Sequence, residues 1–190
     1  MGKLLDKAIV FATSVHEGQL RKGTQIPYIL HPLEAAAIVG TMTTDDEIIA
    51  GAVLHDVVED TDTTVEQIRE LFGERIALLV ASESEDKRED LPARATWKIR
   101  KQETLDHLKT APMDVKMITL GDKLSNIRAI HRDYNAIGDE LWQRFNQKDK
   151  DEHHWYYQSI ADCLSELKDH PAYQEYCALI RKTFASHLKE

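Results

Sequence analysis

A chain of 190 residues, 42% hydrophobic and 30% charged, fits one domain of ordinary size with material for a buried core. Its 33 acidic against 24 basic side chains leave a net charge of −9, which excludes a general surface for duplex DNA or RNA, because nonspecific affinity there comes from Lys and Arg displacing counterions. No apolar stretch approaches the roughly 20 residues that span a bilayer, and Met1-Gly2-Lys3-Leu4-Leu5-Asp6 lacks the apolar run of a signal peptide, so a cytoplasmic protein with no membrane partner is expected.

Leu5, Ala8, Ile9, Ala12 and Val15 lie at three-and-four spacing and predict a first helix ending near Gly18. Gly23 to Leu30 reads as a loop leading to His31, with Pro32 suited to the first position of a short helix reaching Thr41. Thr44-Asp45-Asp46-Glu47 has the spacing of a capping box before Ile48, Ile49, Ala52 and Val53, and this helix should carry His55 and Asp56 near its carboxyl end. Thr63 and Glu66 repeat the spacing before Val65, Ile68, Leu71 and Phe72, with Gly73 placed to terminate the segment. A further helix is expected through Ile76 to Val80.

The stripe breaks from Ser82 to Ala93, where charged residues crowd around Pro92, and this is the strongest loop prediction. Trp97 to Leu108 is helical again, Pro112 interrupts, and Val115, Ile118, Leu124 and Ile127 mark a long helix containing Asp122 and Asn126. A polar segment from Asn146 to Glu152 precedes two terminal helices, Trp155 to Leu167 and Pro171 to Leu188, whose aromatic and aliphatic positions build core or a homo-oligomer contact. Cys163 and Cys177 are the two cysteines and both fall in helical stretches, which disfavours a disulfide framework or a Cys-rich zinc site. With no alternating strand and no Asn-Gly hairpin, the expected class is all-α.

The chemistry concentrates in a few residues. His55-Asp56 is by itself a weak motif, but His31 lies just before one predicted helix and Asp122 inside another. Imidazole nitrogens and carboxylate oxygens suit Mn²⁺, Fe²⁺ or Zn²⁺, and adjacent helix positions, about 100° apart, can converge on one ion. The same residues also read as core histidines and an exposed carboxylate. Glu59 and Asp60 follow closely; beside a metal, such a pair can deprotonate water and protonate a leaving oxygen, the two tasks of metal-assisted phosphoryl hydrolysis.

Taken together, His16-Glu17-Gly18-Gln19-Leu20-Arg21-Lys22-Gly23, Pro27-Tyr28-Ile29-Leu30-His31-Pro32, Leu54-His55-Asp56-Val57-Val58-Glu59-Asp60-Thr61 and Asp122-Lys123-Leu124-Ser125-Asn126-Ile127-Arg128 resemble the HD-type hydrolase domain of the RelA/SpoT family, most of all its stand-alone small alarmone hydrolases. The resemblance covers about residues 8 to 131. It implies an HD-domain helical bundle spanning 1–190, with 152–190 as a C-terminal helical extension, and a Mn²⁺-dependent hydrolase that removes the 3′-pyrophosphate of guanosine tetra- or pentaphosphate. By the same resemblance His31, His55, Asp56 and Asp122 would hold the metal, Glu59 and Asp60 would act on the nucleophilic water, and Arg21, Lys22 and Asn126 would contact the nucleotide.

This chain departs from the family in carrying Lys123-Leu124-Ser125-Asn126 where Arg-Leu-His-Asn commonly follows the metal aspartate. The change keeps the ligand and the asparagine but removes a bidentate Arg and an imidazole, so it bears on substrate preference. Ser84-Glu85-Asp86-Lys87, with Trp97, Arg100 and Lys101, also resembles bacterial stand-alone members; Lys98, Arg100 and Lys101 read either as phosphate contacts or as a solvated basic face. With no room for a synthetase domain, the hydrolase activity is expected to stand alone. The alternatives are a related nucleotide phosphatase, such as one acting on NADPH, and a non-catalytic nucleotide-binding module.

Overall fold

The computed structural model describes residues 2–84, 88 and 90–185. Among them there is no β-strand; helices make up most of the described residues, and a lone antiparallel bridge joins Leu20 to Pro27. The chain divides into two compact units: residues 1–84 with 112–122, and residues 85–111 with 123–190.

In the first unit α1 (Lys3–Val15), α2 (Leu30–Val39), α3 (Asp46–Leu54), α4 (Val57–Asp60), α5 (Val65–Phe72) and α6 (Glu74–Glu83) follow in order. α3 is central, packing against α1, α2 and α6. Its Ala50, Ala52, Val53 and Leu54 are fully buried, as a helix contacted from several sides requires. The second unit contains α7 (Ala93–Thr110), and α8 (Met113–Ile137) begins in the first unit and continues into the second. Two small residues let backbones approach closely in the first unit. A Cβ on Gly51 of α3 would meet Ile118 Cδ1 at 3.2 Å and Leu79 Cδ1 at 3.3 Å; one on Gly121 of α8 would lie 2.7 Å from the Ala35 carbonyl oxygen of α2. Helices α2, α3 and α8 therefore meet where His31, His55 and Asp122 sit.

After α8 a 3₁₀ segment (Gly138–Arg144) leads to α9 (Lys150–Cys163) and α10 (Pro171–Phe184), which pack together, with α7 against α9. Trp97 contacts His153, Trp155 and Tyr156 at ring-centroid distances of 5.6, 6.4 and 6.0 Å, so it belongs to the core of the second unit.

Several boundaries differ from the sequence expectation. The cap of α3 is Asp45 rather than Thr44; its carboxylate accepts from the Glu47 amide at 2.9 Å and is also held by Arg75 at 2.8 Å. The capping box of α5 is Thr64 with Gln67, one residue past the expected Thr63 and Glu66. Thr63 is not available to cap, because its hydroxyl and amide both bond the Thr61 hydroxyl. Helix α2 starts at Leu30, two residues before Pro32, which remains tolerable because a first-turn residue needs no intrahelical N–H bond. Helix α9 starts inside the expected polar segment at Lys150, capped by Asp149. Ser82 and Glu83 belong to α6, while Glu85, Asp86, Lys87 and Glu89 lie outside the described residues.

Candidate metal centre

The apolar stripe of α3 ends at Leu54, and the helix is not continued through His55-Asp56 as the sequence predicted. His55 closes α3 and Asp56 precedes the four-residue α4. Both residues keep α-region backbone angles, φ −56° and ψ −35° at His55 and φ −94° and ψ −6° at Asp56, so the two consecutive side chains leave the chain about 100° apart and still reach one point. His31 enters from the first turn of α2 and Asp122 from α8. The three residues His31, His55 and Asp122 are buried, at 4%, 1% and 5% exposure, and each offers a ligand atom within 4.8 Å of the others.

Asp56 completes the cluster. His31 Nε2 lies 3.4 Å from Asp56 Oδ2 and 3.1 Å from Asp122 Oδ1, and His55 Nε2 lies 3.1 and 3.7 Å from the same two atoms. His55 Nδ1 is 2.7 Å from the Ala52 carbonyl oxygen, which can only accept, so Nδ1 carries the proton and donates it there. This fixes the tautomer in which Nε2 presents its lone pair, the arrangement a histidine ligand uses. That Nε2 is buried and meets no acceptor in hydrogen-bond geometry.

A divalent cation fits this donor set. Two carboxylates and two imidazole lone pairs pointing at one another repel unless a cation or protons lie between them, and metal–ligand bonds of about 2.0–2.2 Å place neighbouring donors at roughly the separations found here. Without a metal the carboxylates recruit protons. Burial alone would disfavour the charged His55 ring, but Asp56 and Asp122 outweigh it and raise its pKa well above the usual histidine value. Burial would likewise favour neutral Asp56, yet the adjacent His55 and His31 hold that carboxyl well below the usual range.

The acidic pair follows on α4, Glu59 half-buried and Asp60 exposed. Sequence reasoning gave no role to Tyr28, although it stands three residues before His31. Its hydroxyl lies 2.6 Å from Asp56 Oδ2 and 2.8 Å from Asp60 Oδ2. Burial, with Asp56 and Asp60 alongside, keeps the phenol protonated far above the ordinary tyrosine range. Gln19 Nε2 donates to the Asp60 carbonyl at 2.9 Å, and Gln19 Oε1 accepts from His16 Nδ1 at 2.8 Å. A cleft of about 770 Å³, lined by Gln19, Asp60, Thr63, Gln67 and Leu71 among others, opens beside Asp60.

Arg21 and Lys22 lie on the loop between α1 and α2. The turn from Arg21 to Thr24 closes through a 3.0 Å bond from the Thr24 amide to the Arg21 carbonyl, with Gly23 at φ 70° supplying the left-handed residue. The Arg21 guanidinium lies 5.6 Å from the Tyr28 ring centroid, and Lys22 is exposed. Asn126 lies on α8 four residues beyond Asp122, half-buried, in the second unit. Lys98, Arg100 and Lys101 are in the second unit as well. Lys98 pairs with Glu152 over the Trp155 ring, Arg100 reaches Thr96 Oγ1 at 3.4 Å, and Lys101 sits 4.9 Å from the Tyr156 ring centroid.

A family model described as an HD domain matches residues 8–149. The chain belongs to the HD-domain family. The family implies a divalent metal and a phosphohydrolase enzyme, and the buried cluster of His31, His55 and Asp122 is a group here that could hold such an ion. This HD domain is 36% identical over 132 residues to the guanosine-3′,5′-bis(diphosphate) 3′-pyrophosphohydrolase MESH1 of Danio rerio, covering 68% of this chain and 70% of that one. It is 35% identical over 130 residues to the GTP pyrophosphokinase of Myxococcus xanthus, of whose length it spans 17%. Among solved structures, a protein described as a metazoan ortholog of SpoT shares the fold at a TM-score of 0.77, with 24% identity and 96% of both chains covered. The crystal structure of lmo0812 from Listeria monocytogenes EGD-e gives 0.72 at 30% identity, covering 82% of this chain and 99% of that one. Among the described residues, no helix of this HD domain is long and apolar enough to cross a membrane.

Proposed function

We propose that this HD domain hydrolyses guanosine 3′,5′-bis(diphosphate), and the pentaphosphate likewise, releasing the 3′-pyrophosphate with Mn²⁺ as the resident metal. The observation that carries the reading is the convergence of His31, His55, Asp56 and Asp122 on one point, with a proton-handling carboxylate pair four residues downstream. The likeness to MESH1, of which this chain covers 70%, supports the substrate class. The family match ends at residue 149 and draws on both units, which supports one HD-type domain over 1–190 with 152–190 as a helical extension.

His31, His55, Asp56 and Asp122 would hold the metal, which when bound lowers the pKa of water and draws charge from the phosphoryl oxygens. The hard carboxylates beside two imidazoles suit Mn²⁺, and Fe²⁺ or Zn²⁺ would satisfy the same donors. The water oxygen attacks the phosphorus bonded to the ribose 3′-oxygen. Glu59 and Asp60 take the proton from that water and return one to the 3′-oxygen as the P–O bond breaks, so the products are the 3′-hydroxyl and pyrophosphate. Arg21 can lay its planar guanidinium on the guanine while Lys22 adds a point charge to the phosphates, and Asn126 offers an amide to the sugar or phosphate.

The test is incubation of the Mn²⁺-loaded protein with guanosine tetraphosphate, NADPH and simple nucleotides, followed by product analysis. Pyrophosphate from the tetraphosphate is expected; phosphate from NADPH alone would overturn the assignment. Replacing Glu59 by Gln or Asp60 by Asn should lower turnover by roughly 10²–10⁴-fold while Mn²⁺ binding survives.

A further inference from the structure

Asp60 needs a carboxylate held to within tenths of an ångström, yet its own helix does little to hold it. Helix α4 is four residues long, little more than one turn, and begins from the bond of the Asp60 amide to the Asp56 carbonyl at 2.9 Å. The restraint comes from outside. Gln19 anchors the Asp60 carbonyl at 2.9 Å, and the Tyr28 hydroxyl touches Oδ2 of both Asp56 and Asp60.

We propose that Tyr28 is a positioning residue that ties the Asp60 carboxylate to the metal ligand Asp56. Its ring is fixed on three sides: His16 at 5.0 Å, His31 edge-on at 5.9 Å and the Arg21 guanidinium at 5.6 Å. The half-buried phenol offers one proton, so it donates to one carboxylate at a time. With a cation held by Asp56, that carboxylate would compete less for the phenol proton, which would be left to Asp60. Tyr28 is thus a second-layer partner of the ligand and a direct partner of the proton-handling acid, and its loss should register in both metal affinity and turnover. The hydroxyl also explains why the residue at this place is a tyrosine rather than another aromatic side chain that would fill the same space.

The kinetic arm of the test rests on the hydrolase reading above; the metal arm does not. Tyr28→Phe keeps the ring and removes one oxygen, and circular dichroism with a thermal midpoint verifies its fold. Calorimetric titration with Mn²⁺ should show about 10-fold weaker binding, and at saturating Mn²⁺ kcat for guanosine tetraphosphate should fall about 10-fold or more with KM within about threefold. Gln19→Ala, which frees the Asp60 carbonyl but leaves the phenol, should lose less kcat than Y28F. Unchanged metal affinity, a loss carried by KM alone, or an equal loss in Q19A would overturn the positioning role. If the wild-type protein does not cleave the tetraphosphate, the functional reading fails, and the Mn²⁺ comparison, which uses no nucleotide, still decides Tyr28.

Discussion

Gly121→Ala probes how closely helix packing controls the metal centre. The added Cβ would stand 2.7 Å from the Ala35 carbonyl oxygen and 2.8 Å from Val39 Cγ2, about 0.7 Å short of ordinary contact with a backbone atom that no rotamer change can move aside. Overpacking costs about 1–3 kcal/mol, and a clash with an immovable backbone oxygen belongs to the upper part, about 2–3 kcal/mol; the better helix propensity of Ala returns about 1 kcal/mol, so a net loss of about 1–2 kcal/mol is expected in metal-free protein. The geometry adds a second effect. Ala35 lies one helical turn after His31, and Gly121 adjoins Asp122, so moving α2 from α8 opens the 3.1 Å gap between His31 Nε2 and Asp122 Oδ1. If Mn²⁺ affinity falls tenfold, metal at 100 times the wild-type Kd stabilises the wild type by about 2.7 kcal/mol and the variant by about 1.4 kcal/mol. Urea unfolding with and without Mn²⁺ should therefore show a deficit larger by about 1.3 kcal/mol in the presence of metal. A variant as stable as wild type, or one destabilised equally in both conditions, would refute the reasoning. Gly51→Ala is the contrast: its Cβ meets side-chain methyls at 3.2–3.3 Å that can turn aside, and the net change should stay within about 1 kcal/mol.

Three further outcomes follow from named groups. Because metal-free His55 has its pKa raised well above the ordinary value, it carries a proton at pH 7 that a metal must displace; calorimetry in buffers of different ionisation enthalpy should show proton release, with affinity rising up to about tenfold per pH unit until that pKa is passed. Thr64→Ala removes the hydroxyl half of the α5 cap, which accepts from the Gln67 amide at 3.2 Å, and leaves the Thr64 amide to donate to Gln67 Oε1 at 2.8 Å; it should cost about 1 kcal/mol in urea unfolding with Mn²⁺ affinity unchanged. His153 has its pKa lowered by burial, so it stays neutral in the fold while the unfolded chain protonates near pH 6.5. The unfolded state then binds more protons, and stability falls as pH drops below that point toward the lowered folded value. His153→Gln, which can still donate to the Gln147 carbonyl, should flatten that slope; an unchanged slope removes His153 as its source.

The helical class was legible because the apolar spacing of α1, α3 and α8 repeats at three and four residues, and each stripe is buried: Ala8 and Ala12, Val53 and Leu54, Ile118 and Leu124. Cap positions were legible only to within a residue. Thr44 and Asp45 are both good caps, and what favours Asp45 is a salt link to Arg75, 30 residues away. The start of α9 was hidden because polarity suggested solvent, whereas Lys150 and His153 are buried, the lysine donating to the Tyr134 hydroxyl at 2.8 Å. Tyr28 was hidden for another reason. Both its partners, Asp56 and Asp60, come from a segment 28 or more residues away, and no local periodicity reports such a contact.

The break between α3 and α4 is where fold and chemistry meet. His55 and Asp56 keep α-region backbone angles, so their side chains leave the chain about 100° apart, and both reach the same cluster. At the end of α3 the His55 ring bonds back through Nδ1 to the Ala52 carbonyl at 2.7 Å, which aims Nε2 at Asp56 Oδ2, 3.1 Å away. The cost is a four-residue helix that cannot hold its own carboxylates in place, and the loop carrying Gln19 and Tyr28 supplies the missing restraint through bonds to Asp60 and Asp56. The proposed ligands His31 and Asp122 thus stand on α2 and α8, His55 and Asp56 between α3 and α4, and the proposed proton-handling acids on a four-residue helix. In the proposed reaction the first group would stay fixed around an ion, and the second would reach both water and a leaving oxygen.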